Sequence, residues 1–201
     1  HLQDEYGVDL STLRWLEGSV EQAGEHAKIE TTSPLVPVVL EPNRSGKAMS
    51  DLLADGEIDA ILGSRRPESL GRHPDVIRLF PDYRPIERDF YERTHIHPIM
   101  HVVAIRHDVY EKEPWIAQSL YRAFDESKNW ALDRLRISAA QHCMLPFMFA
   151  DLDEVDELFD GDPWPYGVEP NRPTLEALVR HLAEQNFIRE PAPIESLFVG
   201  V

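Results

Sequence analysis

Three stretches of this chain have residue types and spacings suited to chemistry. Ser64-Arg65-Arg66-Pro67 combines a hydroxyl with two guanidiniums, a set able to hold a carboxylate in bidentate geometry. The same stretch also reads as a solvated basic turn that balances neighbouring acids. Thr94-His-Ile-His-Pro-Ile-Met-His101 carries His95, His97 and His101. Two histidines one residue apart on an extended segment can share a metal ion, although Pro98 bends the segment and His101 opens a strand on which it can face away. His101 alone suits a general acid or base, because imidazole titrates near neutrality. Its bland reading is a hydrogen-bonded histidine at a sheet end. Trp164-Pro-Tyr-Gly167, with Asn171 close by, sets rigid aromatics and an amide on an irregular loop. That combination suits stacking against, and hydrogen bonding to, a flat ligand; the alternative is a loop plugged into the core by Trp164.

Other signals are negative. Cys143 has only His142 as a basic neighbour and reads as a buried structural thiol rather than a nucleophile. The sequence contains no Gly-rich phosphate loop, no nucleophile elbow and no zinc-protease helix motif, so no cofactor is expected.

The elements that must position these residues follow from periodicity and punctuation. Residues 1–8 read as the end of a helix stopped by Gly7. Asp9–Gly18 alternates as a short strand, and Leu35–Leu40 is an edge strand or an extended segment because Pro37 removes a ladder donor. Gly46–Gly56 is a short helix, Glu57–Leu62 a strand, and residues 63–67 the loop at its carboxyl end, where open-sheet proteins bind ligands. Asp75–Phe80 and Met100–Arg106 are further strands, with Arg84–Tyr91 helical between them. Pro114–Leu135 is the longest helix, with Ile116, Leu120, Ala123, Phe124 and Ala131 as its apolar stripe. Helices are also expected over 145–159 and 174–185, the second capped by Thr174. The Pro- and aromatic-rich segment 161–171 between them is irregular. The class is α/β.

Bulk composition narrows the partners. The 201 residues include 36 acids and 20 Lys plus Arg, a formal charge of −16, and seven acids lie within 151–162 as an expected solvated helical face. Such a field disfavours nucleic acid and anionic membranes but permits a small anionic ligand where arginines make the field locally positive. The apolar stretches are too short to span a bilayer, and one cysteine suggests a reducing, cytoplasmic compartment. The sequence leaves a homo-oligomer open. Because the chain opens on His1 within a helical pattern, it is expected to lack its true N-terminus.

Several segments together resemble the 4,5-dihydroxyphthalate decarboxylase family. They are Asp4-Glu-Tyr-Gly-Val8, Gly56-Glu-Ile-Asp-Ala60, Arg78-Leu-Phe-Pro-Asp-Tyr83, Pro98-Ile-Met-His-Val102, Pro114-Trp115 and Trp164-Pro-Tyr-Gly-Val-Glu-Pro-Asn171, in the family's order. The 78–83 and 164–171 runs are the most specific. The family usually has Gly and an aromatic where His95 and His97 stand, whereas His101 matches. The resemblance implies a two-lobed α/β fold like type II periplasmic solute-binding proteins, here incomplete at the N-terminus. Residues 1–100 would form most of one lobe, and 101–201 a crossover strand and the helical part of the other. It also implies loss of CO2 from an aromatic ortho-dicarboxylate to give 3,4-dihydroxybenzoate. His101 would deliver the proton, Arg65 and Arg66 would clamp the retained carboxylate, and Trp164 and Tyr166 would contact the ring. Ser64 and Asn171 would orient polar substituents. The competing reading is a solute-binding protein, then periplasmic, that captures a small aromatic or other organic acid for an ABC transporter, since fold alone does not decide function.

Overall fold

In a computed structural model, residues 1–23, 40–139 and 142–200 are described, and the chain divides into two compact units. One comprises His1–Tyr83 with Leu182–Arg189, the other Arg84–His181 with Glu190–Val201. The architecture is mixed α/β, mostly helical, with one small sheet among the described residues.

In the first unit, α1 (Leu2–Tyr6) closes on Gly7, whose φ of 63° lets the backbone reverse. A 3-10 turn, Leu10–Thr12, follows, with the Asp9 carboxylate accepting from the Ser11 N–H at 2.9 Å. The expected strand over 9–18 narrows to β1 (Trp15–Glu17), which pairs in parallel with β2 (Leu40–Pro42), Trp15 opposite Leu40 and Glu17 opposite Pro42. Residues 35–39 of the second expected strand lie outside the described residues. The helix expected over 46–56 is α2 (Met49–Ala54), and its first N–H groups are satisfied by the main chain. Met49 and Ser50 each donate, at 2.9 Å, to the carbonyls of Ser19 and Val20. That approach leaves no room beside Gly18, where a Cβ would meet Met49 Sδ at 2.8 Å. Ala48, Met49, Leu52 and Val76 are buried here, and the buried Asn43 amide donates to the Lys47 carbonyl at 2.9 Å.

The second unit is helical. Nearly all of α3 (Tyr83–Thr94) belongs to it, followed by α4 (His107–Lys112), α5 (Trp115–Leu135) and α6 (Met148–Phe159). A 3-10 turn, Glu169–Asn171, leads directly into α7 (Arg172–Glu184). Leu175, Val179 and Ile194 form its buried cluster, with Ile99, Val168 and Phe198 packed against them. Thr174 does not cap α7, which begins two residues earlier. Its hydroxyl instead accepts from the His97 N–H at 3.0 Å and donates to the His97 carbonyl at 3.1 Å, pinning the histidine segment to the helix.

Two expectations change. Glu57–Leu62, Asp75–Phe80 and Met100–Arg106 have strand-like patterns but are not strands. A strand requires a neighbour to accept its backbone N–H groups, and none of the three meets one among the described residues. Several of their apolar side chains remain in water, Leu62 at 81% and Met100 at 85% exposure, although Val76 is buried. The acidic tract 151–162 is also more than a solvated face, because five of its seven acids are ion-paired. Asp151 and Glu154 meet Arg84, Glu157 meets Arg88, Asp156 meets Arg136, and Asp162 meets Lys128.

Candidate active site

The second unit holds the more organised of the expected site regions. The segment between α6 and α7 follows no regular pattern, yet nearly every turn of it is tied down. Asp162 accepts from the Trp164 N–H at 3.1 Å, an Asx turn that starts the loop. The two N–H groups of the Asn171 amide donate to the carbonyls of Pro165 (2.6 Å) and Gly167 (2.9 Å). Gly167 has φ 105°, a conformation that a side chain would strain. Tyr121 on α5 donates its hydroxyl to the Tyr166 carbonyl at 3.4 Å. The buried member of the loop is Pro163, whereas Trp164 is 59% exposed and Tyr166 is also exposed. Trp164 therefore does not plug the core, and the loop presents a braced aromatic surface.

Behind that surface stands Lys128 of α5, its side chain 12% exposed. Its ammonium meets Asp162 Oδ2 at 2.6 Å and Asp125 Oδ1 at 3.2 Å, and lies 4.5 Å from the Tyr166 ring centroid. Burial alone would favour the neutral amine, but the hydrogen bonds to Asp162 and Asp125 outweigh it together. They hold the lysine above its ordinary range. Nothing in the sequence reading pointed to this residue. The signal available was helical phase: the inward side of α5 runs through Ala117, Tyr121, Asp125, Lys128 and Leu132, while Ala123, Phe124 and Ala131 of the expected stripe are exposed. Two charged residues on the inner face disguised it as the outer one.

His97 extends the aromatic surface. Its ring lies 5.0 Å from Phe159 and 6.1 Å from both Tyr91 and Trp164, centroid to centroid. Burial among these rings pushes the imidazole below its ordinary pKa, with Glu87 opposing the shift. His95 has φ 53° and turns to the edge of Tyr91 at 5.8 Å. His101 is exposed on the extended segment before α4. Among the described residues no three His, Cys, Asp or Glu side chains converge as metal ligands, and this includes the three histidines. Cys143 is half-buried, and His142 beside it is exposed.

The other expected group belongs to the first unit. Ser64, Arg65 and Arg66 are exposed on the loop after α2. Arg66 donates to the Leu70 carbonyl at 3.2 Å, and neither Arg65 nor Arg66 forms an ion pair among the described residues. A shallow concavity of about 340 Å³ in the same unit is lined by Glu21, Ser50, Asp51, Glu68, Ser69 and Arg72 among others. Three carboxylates against one guanidinium make it unsuited to an anion, and none of Ser64, Arg65 or Arg66 lines it.

No family model matches this chain. It is 37% identical, over 197 residues and 96% of its length, to a 4,5-dihydroxyphthalate decarboxylase of Comamonas testosteroni. It is 32% identical over 91 residues to a 4,5-dihydroxyphthalate decarboxylase of Pseudomonas putida. The chain spans 59% of the length of the first relative and its match covers 35% of the second.

Proposed function

Because this chain belongs to the family of the 4,5-dihydroxyphthalate decarboxylases, we propose that it removes CO2 from 4,5-dihydroxyphthalate or a closely similar aromatic ortho-dicarboxylate, leaving 3,4-dihydroxybenzoate. The observation that carries this reading is the identity with the Comamonas testosteroni relative across nearly the whole chain. The reading includes the two-lobed arrangement of periplasmic solute-binding proteins, a cytoplasmic location and a place in aromatic-acid breakdown.

The chemistry sets three requirements. The bond between ring carbon and carboxylate breaks, its electron pair stays on the ring carbon, and a proton must arrive there because a free aryl anion is too costly. The hydroxyl para to the departing group raises electron density at that carbon. The retained carboxylate needs a cation, and the ring needs a flat apolar contact. In this proposal His101, exposed on the segment before α4, delivers the proton. Arg65 and Arg66, exposed and without an ion pair among the described residues, clamp the retained carboxylate. Trp164 and Tyr166 receive the ring, and Ser64 orients a polar substituent. Asn171 uses both amide hydrogens within its own loop, so its part is that of an acceptor through Oδ1, towards a ring hydroxyl.

The test is incubation with 4,5-dihydroxyphthalate while CO2 and the catechol acid are followed. His101→Ala is expected to abolish turnover and spare binding, and Arg65→Ala to weaken binding mainly. A wild-type rate in His101→Ala would remove that residue from the role of proton donor.

A further inference from the structure

We propose that Lys128 is the positioning residue of the aromatic loop, holding Trp164 and Tyr166 in the arrangement that receives a flat substrate; this rests on the decarboxylase reading. The geometry is that of a three-way joint. The ammonium donates to Asp162 Oδ2 (2.6 Å) and to the Trp164 carbonyl (3.3 Å), and pairs with Asp125 Oδ1 (3.2 Å) on its own helix. Two N–H groups are thereby committed to Asp162 and Trp164, and Asp125 adds a second charge contact. The Tyr166 ring centroid lies 4.5 Å from the same ammonium, within cation–π distance. Asp162 in turn accepts from the Trp164 N–H through its other oxygen. A single charge on α5 therefore fixes both main-chain polar groups of Trp164, one directly and one through Asp162, and the face of Tyr166.

This differs from a surface ion pair. The lysine side chain is largely out of water, so its contacts are weakly screened and hard to replace by solvent. Removing the ammonium leaves Asp125 and Asp162 as neighbouring uncompensated carboxylates, and their repulsion acts on the residue that anchors Trp164. Arginine keeps the charge, but its planar fork cannot reach Asp162, Asp125 and the Trp164 carbonyl from a single nitrogen.

The test compares Lys128→Met with the unsubstituted chain, both labelled with 5-fluorotryptophan. There are four tryptophans, and Trp164→Phe identifies the Trp164 fluorine resonance. In Lys128→Met that resonance is expected to shift and broaden while the Trp15 resonance of the first unit stays in place. KM for 4,5-dihydroxyphthalate should rise about tenfold, with kcat changed less than about twofold, the size expected from losing one buried hydrogen-bonded cation contact. Destabilisation alone would lower kcat through the active fraction and leave KM unchanged, and that result would overturn the proposal, as would an unmoved Trp164 resonance. If Lys128→Met does not fold, Lys128→Arg decides: a displaced Trp164 resonance and a raised KM support the joint, and wild-type values of both overturn it. Absence of turnover in the unsubstituted chain contradicts the decarboxylase reading instead, and the Trp164 resonance then tests Lys128 by itself.

Discussion

His97 is packed among rings rather than among ligands, with Tyr91 and Phe159 on its flanks and Trp164 beyond. Its environment has a consequence for stability. Burial depresses its pKa in the folded protein, so below about 6.5, the ordinary value for histidine, an unfolded chain binds a proton that the folded chain resists. More protons on the unfolded side means that stability rises with pH across that window. The contribution is fully present above about pH 6.5 and is lost as pH falls through the lower folded value. Denaturant midpoints measured from pH 7.5 to 5.5 should therefore fall, and His97→Phe, which keeps a ring in the cluster, should flatten the curve over that range. An unchanged slope in His97→Phe would remove this histidine from the titration. Carboxylates such as Glu157, held low by Arg88, act below about pH 4.5 and do not overlap. At this scale the sequence was informative where residue type itself is unusual: Trp164, Tyr166 and Asn171 stand out because Pro, Gly and aromatics cannot all belong to a regular element. Lys128 was invisible because an inward lysine looks like any other charge on a helix until its partners are known.

Among the elements, the helices other than α4, which was not expected, were legible to within a few residues, since their apolar spacing and Pro or Gly boundaries are local properties. The strands were not. Met100–Arg106 has the composition of a buried strand, but a strand exists only through its partner, and pairing is not encoded in the segment itself. Thr174 shows a related limit. Its hydroxyl looks like a helix cap from sequence, yet it bridges to His97, 77 positions away in the chain. Thr174→Val preserves shape and strands both the N–H and the carbonyl of His97, so it should cost about 1–3 kcal/mol in urea unfolding. A loss below a few tenths would mean that this bridge does not hold the segment. In the first unit, Leu52 of α2 is 2% exposed. Leu52→Ala should lose roughly 2–5 kcal/mol through lost transfer and the cavity left behind, measured as a shift in the unfolding midpoint; an unchanged midpoint would mean that α2 does not anchor that core.

For the molecule as a whole, the charge of −16 first appeared as a broad acidic field. The structure shows it organised. Arg84 and Arg88 on α3 draw in Asp151, Glu154 and Glu157 of α6, so much of the acid is matched within the second unit, while Arg65 and Arg66 of the first unit carry no ion pair among the described residues. An anionic substrate is compatible with an acidic protein when cations are left without an ion pair in this way. As the proposed decarboxylase, the chain would act on such a substrate and break a carbon–carbon bond. The most direct measurement supplies 4,5-dihydroxyphthalate carrying 13C in its carboxyl groups and follows the label. One labelled CO2 is expected for each 3,4-dihydroxybenzoate formed, with His101→Ala binding the substrate but releasing neither. Saturable binding by the unsubstituted chain, with all label retained in the dicarboxylate, would contradict the proposal.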